Sequence, residues 1–203
     1  TSAHKLSGLA ADMVRLRYDS KGDRFGLGEP QKRVRGRWVK VYDPRLDSTY
    51  PGGSGSCRPF NESTYVFSRN PHLHALTWAM GRYSNGKLVA GLGLALGNIL
   101  VDQFIEGANI CDANGWNCDG VIFTRPQTAW NNLKLILASA AAVPYITGGR
   151  VGCRNQTPRV AVGSITRGDL RGEASRPATR PRRERKNIAF YRFRSAANEY
   201  EAV

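Results

Sequence analysis

Three stretches of helical periodicity sit side by side in the middle of this chain, while the segments on either side alternate apolar and polar residues. A parallel α/β sheet needs a helix after each strand, so helices gathered between two strand-rich stretches predict an α+β domain instead. Asn70-Pro71 announces the first helix, with a capping side chain followed by proline at a position where the missing N–H costs nothing. Leu73, Leu76 and Met80 then recur at spacings of three and four, which places them on one face. The second helix is expected over 98–109, with Val101, Phe104, Ile105 and Ala108 as its apolar stripe. Thr128 can cap the third, whose face of Ala129, Trp130, Leu133, Ile136, Leu137, Ala140 and Ala141 is expected to run on until Pro144 ends it.

The flanks read as strands. Val14–Tyr18 and Arg37–Tyr42 alternate with the period of a half-buried strand, and 51–56 is a Gly/Ser-rich loop. Beyond the helices, Tyr145–Thr147 and Arg150–Cys153 flank Gly148-Gly149, whose glycines suit the positive φ of a two-residue hairpin. Val160–Val162, Ile188–Phe193 and Arg171–Ala174 add further expected strands. The organisation predicted is a strand and loop segment over 1–58, a helical segment over 59–144 and a strand-rich return over 145–203. The apolar run Leu88–Val101 is broken by Gly91, Gly93, Gly97 and Asn98, so it reads as buried or packed surface and not as a membrane span.

Charge narrows the partners. Thirty Lys and Arg against sixteen Asp and Glu leave a formal charge of +14, which favours a polyanion or an acidic protein neighbour. The basic residues cluster at Lys32, Arg33, Arg35, Arg37 and Lys40, and at Arg176, Arg180, Arg182, Arg183, Arg185 and Lys186. The candidate docking surface is Arg180, Arg182, Arg183, Arg185 and Lys186.

Motifs for catalysis are scarce. The four cysteines, Cys57, Cys111, Cys118 and Cys153, form no CxxC pair, so neither a zinc nor an iron–sulfur site is expected. A Cys111–Cys118 loop disulfide stays open beside reduced, buried thiols. His72 and His74 stand two apart on a predicted helix and point in opposing directions, which does not suit a shared metal. No nucleophile elbow, phosphate loop or dinucleotide fingerprint occurs. Asp102 and Glu106 read as a solvated helix face. No catalytic residue, metal ligand or cofactor is predicted.

The order of motifs resembles a known family. Arg35-Gly36-Arg37-Trp38-Val39-Lys40-Val41-Tyr42-Asp43-Pro44, a Gly/Ser loop, and then Asn70-Pro71 opening a helix that ends in Gly81-Arg82-Tyr83 are similar to the tip attachment protein J family of lambda-like phages. So are Phe104–Asp112, Cys118-Asp119-Gly120-Val121, Trp130-Asn131-Asn132-Leu133, the Gly-Gly hairpin leading to Thr157-Pro158, and Arg182–Ile188. The strand entry differs, with Asn187-Ile188-Ala189 standing where the family carries Asn-Ala-Val. The resemblance implies a structural component of the phage tail tip, a hub or baseplate protein acting in tail assembly, host attachment and genome delivery. It implies a homotrimer closing the distal end of the tail in the virion. Its neighbours would be the distal tail and other tail-tip proteins and the tape-measure protein, with transient contact to ejecting DNA. A host receptor would be bound by other regions of the full polypeptide, of which this chain reads as a fragment. A stand-alone basic nucleic-acid-binding domain is the alternative, and a cell-wall-degrading tail domain a second.

Overall fold

The computed structural model describes residues 15, 36–157, 161, 163–172 and 188. The chain divides into two compact units, Thr1–Pro158 and Arg159–Val203. The first holds β1 (Lys40–Val41), β2 (Val66–Phe67), α1 (Pro71–Met80), β3 (Arg82–Ser84), β4 (Lys87–Ala90), α2 (Val101–Asn114), α3 (Ala129–Ala138), β5 (Ala142–Thr147) and β6 (Arg150–Asn155). β1–β2, β3–β4 and β5–β6 are three separate antiparallel pairs. The fold is α+β.

Helix α1 is the centre of the unit. Asn70 Oδ1 accepts from the His72 N–H at 3.0 Å, and Pro71 takes the first helical position, as the sequence leads one to expect. Pro71, His72, Leu73, Ala75, Leu76, Thr77, Ala79 and Met80 are all buried, so the helix is enclosed almost all round instead of presenting one stripe. It packs against both α2 and α3, and the β5–β6 hairpin packs on those two helices in turn. The helix ends at Gly81, whose φ of 86° lies in a region that penalises side chains, and where a Cβ would meet Leu88 and the backbone of Gly93. Tyr42, Leu76, Met80, Phe104, Leu133, Leu137, Val151 and Cys153 form the shared core.

Several elements depart from expectation for local physical reasons. The third helix stops at Ala138. Ala141 turns left-handed at φ 49°, and Pro144 lies inside β5. Pro144 faces Cys153, whose N–H points away from β5 to Gln103 Oε1 at 3.1 Å. That pair is therefore not hydrogen-bonded across the ladder, and proline's missing N–H falls on the outer edge, where strands tolerate it. Cross-strand pairing thus overrides the helix propensity of the alanine run.

The second helix starts at Val101 because Leu96–Asn98 forms a 3-10 turn and the Leu100 N–H bonds Val151 O at 2.8 Å. It continues past 109 to Asn114, closed by left-handed Gly115. Part of the run expected to be buried is instead a hairpin. Asn85-Gly86, at φ 49° and 74°, make the tight turn between β3 and β4, leaving Leu88 and Val89 47% and 57% exposed.

The strand expected over Arg37–Tyr42 shrinks to Lys40–Val41. The Gly148-Gly149 hairpin forms as expected, at φ 54° and 74°. Arg171 and Gly172 form a bend, and Arg167–Asp169 a 3-10 turn closed by a capping box from Thr166. The expected strands Val14–Tyr18, Val160–Val162 and Ile188–Phe193 fall outside the described residues except at single positions.

Candidate functional site

The most elaborate polar cluster lies where α1, α2 and β6 meet. Asn70 holds the first turn of α1 in place, which drives His72 inward until its ring lies flat against Gly107 of α2, where a Cβ would run into the imidazole. The close approach explains a glycine inside a helix that would otherwise prefer alanine. His72 Nε2 lies 2.7 Å from Asn155 Oδ1, and Nδ1 lies 3.3 Å from Cys111 Sγ. Since an amide oxygen only accepts, Nε2 carries the hydrogen, and bare Nδ1 accepts from the thiol. Cys111, His72 and Asn155 are 0%, 1% and 5% exposed.

A second tier surrounds this core. Asn70 Nδ2 donates to Ala108 O and to Asp112 Oδ1, each at 2.8 Å. Arg45, anchored on Asp43, reaches Asn109 Oδ1 at 2.9 Å and Asp112 Oδ2 at 2.7 Å. The hydrogen bonds that Arg45 donates to Asp43 and Asp112 outweigh desolvation and hold its guanidinium firmly charged.

Cysteine hydrolases use the same thiol–imidazole–amide order. The electrostatics here oppose that chemistry. Cys111 stands in the last turn of α2, where the negative end of the helix dipole disfavours a thiolate. Burial first, and then the neighbouring Asp112 charge, push its thiol up to about 11. Burial lowers the His72 pKa, against the opposing pull of the Asn155 bond. A neutral thiol therefore donates to a neutral imidazole inside a sealed joint, which fastens three elements and presents no nucleophile to solvent.

This joint sets a pH dependence. The folded-state pKa of His72 lies below its ordinary value of 6.5, so above pH 6.5 neither the folded nor the unfolded chain binds the proton. Below it the unfolded chain is protonated first, and stability falls by at most about 1.4 kcal/mol per pH unit for each such histidine. His74, also lowered by burial while its Nε2 lies 2.8 Å from Ser68 O, adds with the same sign. The urea midpoint should drop between pH 7.5 and 5.5, and His72→Gln should flatten that drop while starting from a lower midpoint. An equally steep drop in the variant would remove His72 as its source.

The predicted site residues fare differently. Arg180, Arg182, Arg183, Arg185 and Lys186 lie outside the described residues, as do Lys32, Arg33 and Arg35. Arg37 stacks 5.0 Å from the centroid of the Phe67 ring, which serves packing of the β1–β2 pair. All four cysteines are free, so the Cys111–Cys118 disulfide does not form. Cys111 turns inward to His72, while the Cys118 N–H is held by Arg69 O at 2.8 Å. Among the described residues, no three His, Cys, Asp or Glu side chains converge as a metal site. Asp102 accepts from the Tyr50 hydroxyl at 2.8 Å.

The His72–Cys111–Asn155 joint escapes the sequence because its members stand 39 and 83 residues from His72. The signals that could have found it are a histidine in the first helical turn and a glycine within α2. No family model, curated protein or solved structure matches this chain.

Proposed function

We propose that this chain is a structural module of a phage tail tip, part of the hub that closes the distal end of the tail, and that its role is assembly and not catalysis. The observation that carries this reading is where the family-like motifs meet. Arg45, next to the Asp43-Pro44 motif, binds Asn109 and Asp112 of the Phe104–Asp112 motif. Asn70 of the Asn-Pro helix start binds Ala108 and Asp112 of that same motif. Cys118-Asp119 is tied to Arg69, through backbone and ion pair, just before the helix start. Trp78 Nε1 donates to Ala129 O at 2.8 Å, beside the Trp130–Leu133 motif. Motifs spread along the sequence thus touch one another and fasten helices together, which is the work expected of a rigid assembly part. As a hub component, the chain acts as a homotrimer, contacting the distal tail and tape-measure proteins in the virion. Imaging intact virions with the chain labelled should place it at the distal tail end. Label on the capsid, or none on purified particles, would sink the reading.

A further inference from the structure

Among the described residues, most acidic side chains of 36–157 are ion-paired and most basic ones are not. Eleven Lys and Arg face seven Asp and Glu in this stretch. Asp43, Asp47, Glu62, Asp112 and Asp119 are each paired with an arginine. Lys87 and Arg125 pair with no carboxylate among the described residues, and they adjoin in sequence Leu88 and Thr124, two residues that line a cleft of about 190 Å³. Leu88–Gly91 form one wall, and Thr124, Ala129 and Asn132 the other, with Trp78 also lining it. Leu88 and Val89 are exposed there, at 47% and 57%, and Asn132 Nδ2, from the lining, holds the carbonyl of Phe123 at 3.0 Å.

The strand that lines the cleft has one edge without a partner strand among the described residues. Among the described residues β4 pairs with β3 alone, with Ser84 opposite Lys87 and Tyr83 opposite Leu88, before the register shifts at Val89 to set Arg82 opposite Ala90. In a two-residue hairpin the pair next to the turn is hydrogen-bonded, so the following residue, Leu88, turns its N–H and C=O outward. We propose that this cleft seats an extended segment of a partner protein, which adds as a strand to β4, places aliphatic side chains against Leu88, Val89 and Ala129, and sets carboxylates against Lys87 and Arg125. Main-chain bonds would supply affinity, while the apolar wall and the adjoining cations select the sequence. Two cations are too few to track a phosphate backbone, which favours protein over single-stranded nucleic acid.

The partner's being a protein rests on the assembly reading above, but the cleft can be tested without virions. The full chain, labelled with nitrogen-15, is titrated with a blocked heptapeptide of alternating valine and glutamate, with its valine–lysine counterpart, and with oligothymidine. The valine–glutamate peptide should shift the amides of Leu88, Val89, Gly91 and Thr124. Val89→Glu and Lys87→Glu should each weaken that binding about tenfold or more, the equivalent of about 1.4 kcal/mol. Ile146→Glu, at a position 64% exposed and outside the cleft lining, should leave it unchanged. Equal binding of the lysine peptide, tighter binding of oligothymidine at the same amides, or equal losses in the Ile146 variant would each overturn the proposal. Peptide binding by a chain absent from virions would refute the hub reading and leave the cleft standing. A virion chain with a silent cleft would do the reverse.

Discussion

Phe104→Ala is expected to lower stability by about 3–5 kcal/mol, enough to unfold a marginal domain. Phe104 is fully buried in α2 and belongs to the cluster that also holds Leu76, Met80, Leu133 and Leu137. Removing its ring forfeits the transfer energy and leaves a cavity that three helices and a hairpin, braced by the Gln103 and His72 contacts, cannot easily close. Leu137→Ala, also fully buried, should cost about 2–5 kcal/mol by the same mechanism. Leu135, on the same helix but 61% exposed, should tolerate alanine within about 0.5 kcal/mol. Urea denaturation of the three variants checks the order. A Leu135→Ala loss as large as that of Leu137→Ala would mean that the face of α3 read as solvent-exposed is in fact packed.

That contrast shows how far periodicity carries. Spacing alone places Trp130, Leu133, Ile136 and Leu137 on one face, and Leu133, Ile136 and Leu137 are buried, with Trp130 partly so. The same reasoning failed a few residues later. Ala140 and Ala141 continue the helical spacing, but spacing says nothing of the partner strand that claims Ala142–Thr147. Local signals with a single physical reading survived, among them the Asn70-Pro71 start and the paired glycines of the β5–β6 turn. Asn85-Gly86 carries the same turn chemistry as that glycine pair, yet it stands just before the apolar run Leu88–Val101, whose broken, glycine-rich character reads as buried or packed surface and draws attention from the turn.

The joint at His72 was harder to see for a different reason. Each member has an innocent local explanation: a histidine in a capped helix, a cysteine in an amphipathic one, an asparagine at a strand end. Only the packing of α2 against α1 through Gly107, with β6 packed on α2, brings them within hydrogen-bond reach. The charge clusters illustrate the opposite problem. Bulk charge singles out basic runs toward both ends of the chain, whereas Lys87 and Arg125, next to the cleft residues Leu88 and Thr124, are isolated cations without a carboxylate partner among the described residues.

Asp47→Ala should also destabilise the fold, for electrostatic instead of packing reasons. Asp47 is 1% exposed and accepts from the Tyr42 hydroxyl at 2.8 Å, from the Thr49 N–H at 2.8 Å, from Thr49 Oγ1 at 2.6 Å and from Arg58 at 2.9 Å. Burial alone would raise its pKa, but the Thr49 and Tyr42 bonds and the Arg58 charge outweigh it and hold the carboxyl below its ordinary 3.8. Its contribution is therefore complete above pH 3.8 and is lost as the pH falls below that value toward the folded-state pKa. Alanine strands the fully buried Tyr42 hydroxyl, at a cost of about 1–3 kcal/mol, and takes the carboxylate from Arg58, which keeps its bonds to Gly55 O, Cys57 O and Ser48 Oγ. Arg58 is 36% exposed, so Arg58→Ala should cost distinctly less, because water can replace part of what the guanidinium supplied. Asp47→Asn keeps the volume but turns a donor toward donors, so it should fall between the two and lose the acid limb that Asp47 contributes. Thermal melts at pH 7 and pH 3 separate these outcomes. If Asp47→Ala melts like the parent at pH 7, the carboxylate is not the anchor of the turn between Asp43 and Arg58.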